Sequence, residues 1–186
     1  MSRIGRAPIE IPANVTVDIS NDNVVIVTGP LGTLRQAVDN CITVSKATED
    51  GKNVLHFNRS SDEKEIRSKH GLYRALVNNM IHGVTSGYKK ELVVNGVGYK
   101  VAVQGNKIVM NIGYSHPVNF DIPQGIKASC PTPNNIIIEG FDKTLVGQTA
   151  SDIKAVKPVE PYHNYGIRYA DERVVKKEIK KAGKKK

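Results

Sequence analysis

A segment near the C-terminus combines the side chains best suited to binding chemistry. Residues 154–169 read Lys-Ala-Val-Lys-Pro-Val-Glu-Pro-Tyr-His-Asn-Tyr-Gly-Ile-Arg-Tyr, so tyrosines alternate with basic side chains. Aromatic rings and a guanidinium can stack on exposed nucleobases, and cations can bridge phosphates. The prolines forbid a continuing helix, and the glycine permits close backbone approach. The predicted RNA-binding loop contains Lys154, Lys157, Tyr162, His163, Tyr165, Gly166, Ile167, Arg168 and Tyr169.

A polycationic tail follows this loop directly. The 186 residues carry 27 Lys and Arg against 18 Asp and Glu, a formal net charge of +9. Most of the excess lies in residues 173–186, whereas residues 1–81 and 82–172 are each nearly neutral. Such a tail favours a polyanionic partner, although a charge run also serves solubility alone. Its candidate RNA contacts are Arg173, Lys176, Lys177, Lys180, Lys181, Lys184, Lys185 and Lys186.

No set of residues indicates catalysis or a metal site. The five histidines form no metal-ligand pair, and no serine lies in a Gly-x-Ser-x-Gly context. Residues 29–32 and 96–98 contain glycines but lack the rest of a phosphate loop or a dinucleotide fingerprint. Cys41 and Cys130 lack zinc spacing and indicate reduced, buried thiols. We therefore expect no enzymatic activity, no metal and no cofactor.

The chain as a whole shows an internal repeat. The strand pattern at residues 23–29 recurs at 107–113, and the pattern at 53–57 recurs at 135–139. A helical pattern follows in each half, and the offset between the copies shrinks only slightly along the chain. The matching order indicates a duplicated unit despite the low identity between the halves. For the tyrosines of the predicted RNA-binding loop, the alternative that they pack against a sheet stays open.

Each half is predicted as several short strands followed by one helix. In the first half, strands are predicted at 15–19, 24–28, 34–38, 42–45 and 54–57, before a helix that begins with a capping box of Ser60 and Glu63. In the second half, strands are predicted at 92–95, 99–104, 108–112, 118–122, 126–130 and 136–139, before a helix at about 142–157.

This order of elements predicts the fold class. Strands that precede a helix, rather than alternating with helices, favour antiparallel sheets. The expected fold is α+β, a duplicated domain in which antiparallel strands pack against one helix. The expected domains are an N-terminal repeat at 1–82, a C-terminal repeat with the RNA-binding loop at 83–172, and the basic tail at 173–186.

Four stretches resemble a known family. The segment 158–169 is similar to the proline-led Tyr-Lys-x-Lys-Gly-hydrophobic-Arg-Tyr element that closes the second domain of the L-six family of large-subunit ribosomal proteins. Residues 1–12, 96–100 and 113–117 agree with the same family in order and spacing. The resemblance covers essentially the whole chain and is of the bacterial or organellar type.

The resemblance implies a non-catalytic structural protein of two duplicated α+β domains. It implies binding to large-subunit rRNA, mainly through the C-terminal domain, near the translation-factor-binding centre and the stalk base. Neighbouring large-subunit ribosomal proteins and nearby translation factors are further expected partners. The expected location is the cytoplasmic ribosome, with an organellar ribosome still open. His163 and Tyr165 stand where the family usually has lysine, so two cationic contacts are replaced here.

Two other functions stay open at this point. The tail could bind an anionic membrane or an acidic protein, but residues 173–181 offer only Val174, Val175 and Ile179 as apolar anchors. The chain could act on RNA as an enzyme, which the missing histidine–carboxylate or metal cluster disfavours. No apolar run is long enough to span a bilayer, and residues 1–8 contain no apolar stretch of a secretory signal, so we expect no membrane partner.

Overall fold

The computed structural model describes residues 3–49 and 51–178, and the chain divides into two compact units. One unit comprises Met1–Tyr88 with Phe141–Lys143, and the other comprises Lys89–Gly140 with Thr144–Lys186. The proposed domain limit at 82/83 falls inside a helix that continues to Ser86. Gly87, at a φ of 74°, follows that helix, and its N–H donates to the Gly83 carbonyl at 3.0 Å.

The first unit contains two small antiparallel sheets and one long helix. Its elements are α1 (Arg3–Arg6), β1 (Ile9–Glu10), β2 (Thr16–Ile19), β3 (Val24–Gly29), β4 (Gly32–Ala37), β5 (Ile42–Glu49), β6 (Lys52–Arg59) and α2 (Lys64–Ser86). The strand orders are β1-β6-β5 and β2-β3-β4. Val25 and Val27 alternate with less buried neighbours on β3 and share one core with Val77 and Val84 of α2. Period-two burial on the strand and the apolar stripe of the helix therefore meet in this core.

The second unit repeats this plan and adds a strand. Its elements are β7 (Tyr88–Asn95), β8 (Lys100–Gln104), β9 (Lys107–Asn111), β10 (Val118–Asp121), β11 (Ile126–Thr132), β12 (Asn135–Gly140), α3 (Lys143–Val156) and β13 (Gly166–Tyr169). The strand orders are β10-β9-β8 and β11-β12-β7-β13. Buried residues include Ile136 and Ile138 on β12 and Val146 and Ile153 on α3.

The duplication extends to individual hydrogen bonds. The Asn23 carbonyl accepts from Val38 N–H at 3.0 Å, and its side-chain amide donates back to the Val38 carbonyl at 3.1 Å. Asn106 makes the same pair with Ile122, at 2.9 and 3.1 Å. β3 and β9 are the central strands of matching three-stranded sheets, and β6 and β12 are each followed by the helix. The predicted α+β fold with a duplicated domain is confirmed.

The predicted capping box at the start of α2 is wrong. The helix begins at Lys64, and its N-cap residue Glu63 makes no capping hydrogen bond with its side chain. Ser60 instead extends the β5–β6 ladder, because its N–H donates to the Cys41 carbonyl at 3.1 Å. The Glu63 N–H approaches the Ser61 hydroxyl oxygen at 3.4 Å. Since the Ser60 N–H is already satisfied by the ladder, no reciprocal bond from Glu63 forms.

Asn23 gives a stability prediction for the first unit. Its backbone has a φ of 57°, and its side-chain amide lies 3.1, 3.1 and 2.8 Å from the carbonyl oxygens of Val38, Asp39 and Ile42. We expect Asn23→Ala to lower the free energy of unfolding by about 2–3 kcal/mol, since the carbonyls lose their donor and alanine tolerates this φ less well. Urea unfolding at neutral pH measures this. The exposed Asn58→Ala should change it by less than about 0.5 kcal/mol. Equal losses from both variants would contradict the role of the Asn23 amide.

Candidate RNA-binding surface

The predicted binding loop is anchored by a strand. α3 ends at Val156, and the chain returns as β13, which pairs antiparallel with β7 and sets Ile167 opposite Val94. Ile167 is fully buried, and its N–H donates to the Lys157 carbonyl at 2.8 Å. Only part of 154–169 is therefore a loop, and Gly166 and Ile167 lie inside the protein. These two residues shape the surface from beneath.

A tight turn precedes β13 and displays two side chains. The Glu160 N–H donates to the Tyr165 carbonyl at 2.9 Å, and the Asn164 N–H donates to the Glu160 carbonyl at 3.0 Å. Asn164 reaches this geometry with a φ of 61°. Tyr162 and His163 are consequently exposed at the tip of the turn, and 42% of the Tyr162 surface is accessible to solvent.

Glu172 engages two of the cations that the sequence assigned to RNA. Its carboxylate oxygens each accept from the Lys154 ammonium at 2.7 Å, and one also accepts from the Tyr169 N–H at 3.2 Å. Its backbone carbonyl accepts from an Arg168 guanidinium nitrogen at 3.1 Å. The hydrogen bonds from Lys154 hold the pKa of Glu172 below its usual value, although burial opposes them. Lys154 and Arg168 are thus held by the protein itself.

Lys157 is also turned toward the protein. Its ammonium donates to the Ile112 carbonyl at 2.6 Å and lies 4.9 Å from the ring centroid of Tyr99 and 4.8 Å from that of Tyr114. Tyr169 similarly receives a cation, because the Lys154 ammonium lies 4.8 Å from its ring centroid. Each of these contacts falls within the range of a cation–π interaction.

The exposed residues of the site lie beside the start of the tail. His163 stacks on Tyr165, with ring centroids 5.6 Å apart, and its Nδ1 lies 3.5 Å from a Glu160 carboxylate oxygen. The Lys177 N–H donates to the Pro161 carbonyl at 2.9 Å, which brings the tail next to the turn. Arg173, Lys176 and Lys177 are exposed. The other predicted tail contacts, Lys180, Lys181, Lys184, Lys185 and Lys186, lie outside the described residues.

Sequence reasoning missed Tyr99 and Tyr114 as members of this region. Both lie in glycine-containing motifs, residues 96–100 and 113–117, which contributed only to the family resemblance. Their contact with Lys157 could not be predicted because it joins three segments that are distant along the chain. The signal that was available is the tyrosine beside a glycine in each motif.

Comparison with known families gives one match to each half of the chain. The model of the family described as Ribosomal protein L6 matches residues 11–87 and residues 95–170. The chain belongs to the ribosomal protein L6 family. As a member of the L6 family it is a structural protein of the ribosome, and the prediction that it is not an enzyme is confirmed by this membership.

Full-length relatives support the L6 assignment and are bacterial. The chain is 46% identical over 185 residues to a large ribosomal subunit protein uL6 of Dictyoglomus turgidum, covering 100% of both. It is 47% identical over 184 residues to that of Thermomicrobium roseum, with 99% of this chain and 97% of the relative covered. It is 48% identical over 181 residues to that of Variovorax paradoxus, with 97% and 99% covered. The predicted resemblance is confirmed.

The described part of this L6 protein offers no candidate metal site and no candidate membrane span. Within residues 3–49 and 51–178, no group of three or more His, Cys, Asp or Glu side chains could hold a metal ion. In the same part of the chain, no helix is long and apolar enough to cross a membrane.

Gly166 gives a prediction about the anchoring of the loop. A Cβ at this position would lie 2.7 Å from the Pro158 carbonyl oxygen and 2.7 Å from the Val159 Cα, at a φ of 140°. Because both neighbours are backbone atoms, we expect Gly166→Ala to lower the free energy of unfolding by about 3 kcal/mol. The matched control is Gly105→Ala, where φ is also positive but a Cβ would meet open space, with an expected loss of about 1 kcal/mol. Urea unfolding compares the two, and equal losses would show that crowding at Gly166 is unimportant.

Glu172 gives a prediction about pH. Its pKa in the folded protein is lowered from the ordinary value of 4.5, so its stabilising contribution is present above pH 4.5 and is lost as the pH falls through the folded value. We expect Glu172→Gln to lower the free energy of unfolding by about 1 kcal/mol at pH 7, and this difference should close in acid. Urea unfolding between pH 7 and pH 3 measures it, with the exposed Glu178→Gln as the control. A difference that stays constant across this range would contradict the role of the carboxylate charge.

Proposed function

We propose that the chain is a structural constituent of the large ribosomal subunit that binds large-subunit rRNA mainly through its C-terminal domain. Membership in the L6 family supports this, as do full-length relatives that are named as large-subunit proteins. We further propose that this contact lies near the translation-factor-binding centre and the stalk base, as the family resemblance implies. Neighbouring large-subunit proteins and translation factors would be the protein partners, on the cytoplasmic ribosome.

One hydrogen bond gives the strongest support for the proposed location of the RNA surface. The hydrogen bond from the Lys177 N–H to the Pro161 carbonyl sets the start of the polycationic tail beside the exposed Tyr162 and His163. The aromatic turn and the described part of the cationic tail therefore lie side by side. Stacking on bases and neutralisation of phosphates are the two interactions that such a surface supplies to RNA.

The predicted site residues divide into two groups in this proposal. Direct contacts come from the exposed residues Tyr162, His163, Arg173, Lys176 and Lys177, together with the lysines of residues 180–186. Lys154, Lys157, Gly166, Ile167 and Tyr169 hold the surface in place through the contacts described above. Arg168 and Tyr165 are partly exposed and border both groups. The loop then determines which RNA shape fits, and the tail contributes charge.

The proposal predicts a separation between salt dependence and site preference. If roughly five to eight tail cations neutralise phosphates, log K should fall with log salt at a slope of roughly −4 to −7. Removal of residues 173–186 should flatten the slope by several units and leave the preference for large-subunit rRNA over small-subunit rRNA largely intact. Filter binding at several salt concentrations measures both quantities.

A full-length control separates charge from chain length. Replacing each Arg and Lys of residues 173–186 by Gln keeps the length, and this variant should behave as the truncated chain does. An unchanged slope in both variants would make the tail a solvated appendage. No preference for large-subunit rRNA in the unsubstituted protein would overturn the proposed function itself.

A further inference from the structure

Tyr114 is an exposed aromatic residue whose side chain the fold holds in one orientation. It lies between β9 and β10, and 50% of its surface is exposed. Its hydroxyl donates to the Val156 carbonyl at 2.9 Å, at the end of α3. The Lys157 ammonium lies 4.8 Å from its ring centroid. An exposed ring that is fixed at its hydroxyl and contacted by a cation has little conformational freedom left to lose on binding.

Lys157 and Tyr99 form the support of this ring. The Lys157 ammonium lies near both tyrosine rings and donates to the Ile112 carbonyl at 2.6 Å, so it serves the protein rather than a phosphate. Tyr99 is fitted closely between two glycines. A Cβ on Gly96 would overlap its ring, and a Cβ on Gly113 would lie 3.0 Å from it. The absence of a side chain at Gly96 and Gly113 thus leaves the space that the Tyr99 ring occupies.

The same support connects Tyr114 to the proposed RNA surface. The ring centroids of Tyr99 and Tyr165 lie 6.4 Å apart, and Tyr165 stacks with His163 at 5.6 Å. Aromatic rings and the Lys157 cation therefore form one connected group, from Tyr114 to the exposed His163. We infer that Tyr114 provides a second stacking surface for an unpaired base of the bound RNA, positioned by Lys157 and Tyr99. This inference rests on the proposed function.

The surroundings of Tyr114 favour a nucleobase over an apolar partner. Its chain neighbours Gly113, Ser115 and His116 are exposed, and the Ser115 hydroxyl lies 3.2 Å from the His116 Nδ1. A single ring among small and polar groups offers little contiguous apolar area to a membrane or a hydrophobic protein surface. A base needs only one flat face, and stacking on an aromatic ring tolerates any base.

A tryptophan reporter tests the contact directly. The chain contains no tryptophan, so Tyr114→Trp introduces a single one. We expect large-subunit rRNA to quench its fluorescence strongly on binding, because a stacked base lies against the indole. The control is Leu72→Trp in α2, where the replaced residue is 53% exposed, and its fluorescence should change little. RNA binding without quenching at position 114 would overturn the inference and leave the proposed function standing.

A pair of substitutions tests whether aromaticity is what matters. Tyr114→Phe loses the bond to the Val156 carbonyl but keeps the ring, so it should bind rRNA within about twofold of the unsubstituted protein. Tyr114→Leu keeps the bulk without the aromatic face and should bind about tenfold more weakly. Thermal unfolding of both variants shows whether they are equally folded. Equal binding by the Phe and Leu variants would overturn the inference.

Lys157 is tested by the salt dependence of binding. Lys157→Met should weaken rRNA binding about tenfold without changing the salt slope, because this cation neutralises no phosphate. The matched control is Lys127→Met, at an exposed position of β11, which removes the same charge and should leave affinity unchanged. A slope reduced by about one in Lys157→Met would make Lys157 a phosphate contact and overturn its role as a positioning residue. Failure of the unsubstituted protein to prefer large-subunit rRNA would instead remove the proposed function.

Discussion

The pairing of β13 with β7 is the constraint on which the candidate RNA surface depends. Only Ile167 among the β13 side chains is fully buried, and it fixes the register opposite Val94. A shift of one residue would turn Ile167 out and Arg168 in, because successive side chains of a strand point to opposite faces. The turn before the strand, the position of Arg168 and the start of the tail all follow from that register.

Because of this anchoring, the basic residues of 154–169 and those of the tail have different roles. Lys154 and Arg168 meet the carboxylate and the carbonyl of Glu172, and Lys157 meets a carbonyl and two rings. Cations held in this way fix the orientation of the neighbouring aromatic side chains, so little further ordering of those rings is needed on binding. In the proposed function, neutralisation of phosphates falls mainly to the tail, because phosphate contacts carry charge but little sequence information.

The sequence predicted the framework well and the internal partners of the site poorly. Short runs of β-branched and other apolar residues predicted strands at β3, β9 and β12, and in the structure their burial alternates with a period of two. β13 was not predicted as a strand, because it is four residues long, starts with glycine and has a single fully buried apolar side chain. The internal contacts of Lys157 were not predicted, because its partners Ile112, Tyr99 and Tyr114 lie far away in sequence. Local patterns carry local structure, whereas these contacts exist only after the sheets have formed.

The duplication explains where a binding function can be added to this fold. In the first unit β6 pairs with β5 and β1, and in the second β12 pairs with β11 and β7, so β1 and β7 hold matching positions. β1 is the last strand of its sheet, whereas β7 is followed by β13. The position that is a sheet edge in one copy is therefore extended in the other. A free edge accepts one more strand through backbone hydrogen bonds alone, without altering the core beneath it. The second copy thus carries the proposed RNA-binding segment on a framework that both copies share, and the segment can differ in His163 and Tyr165 without disturbing that framework.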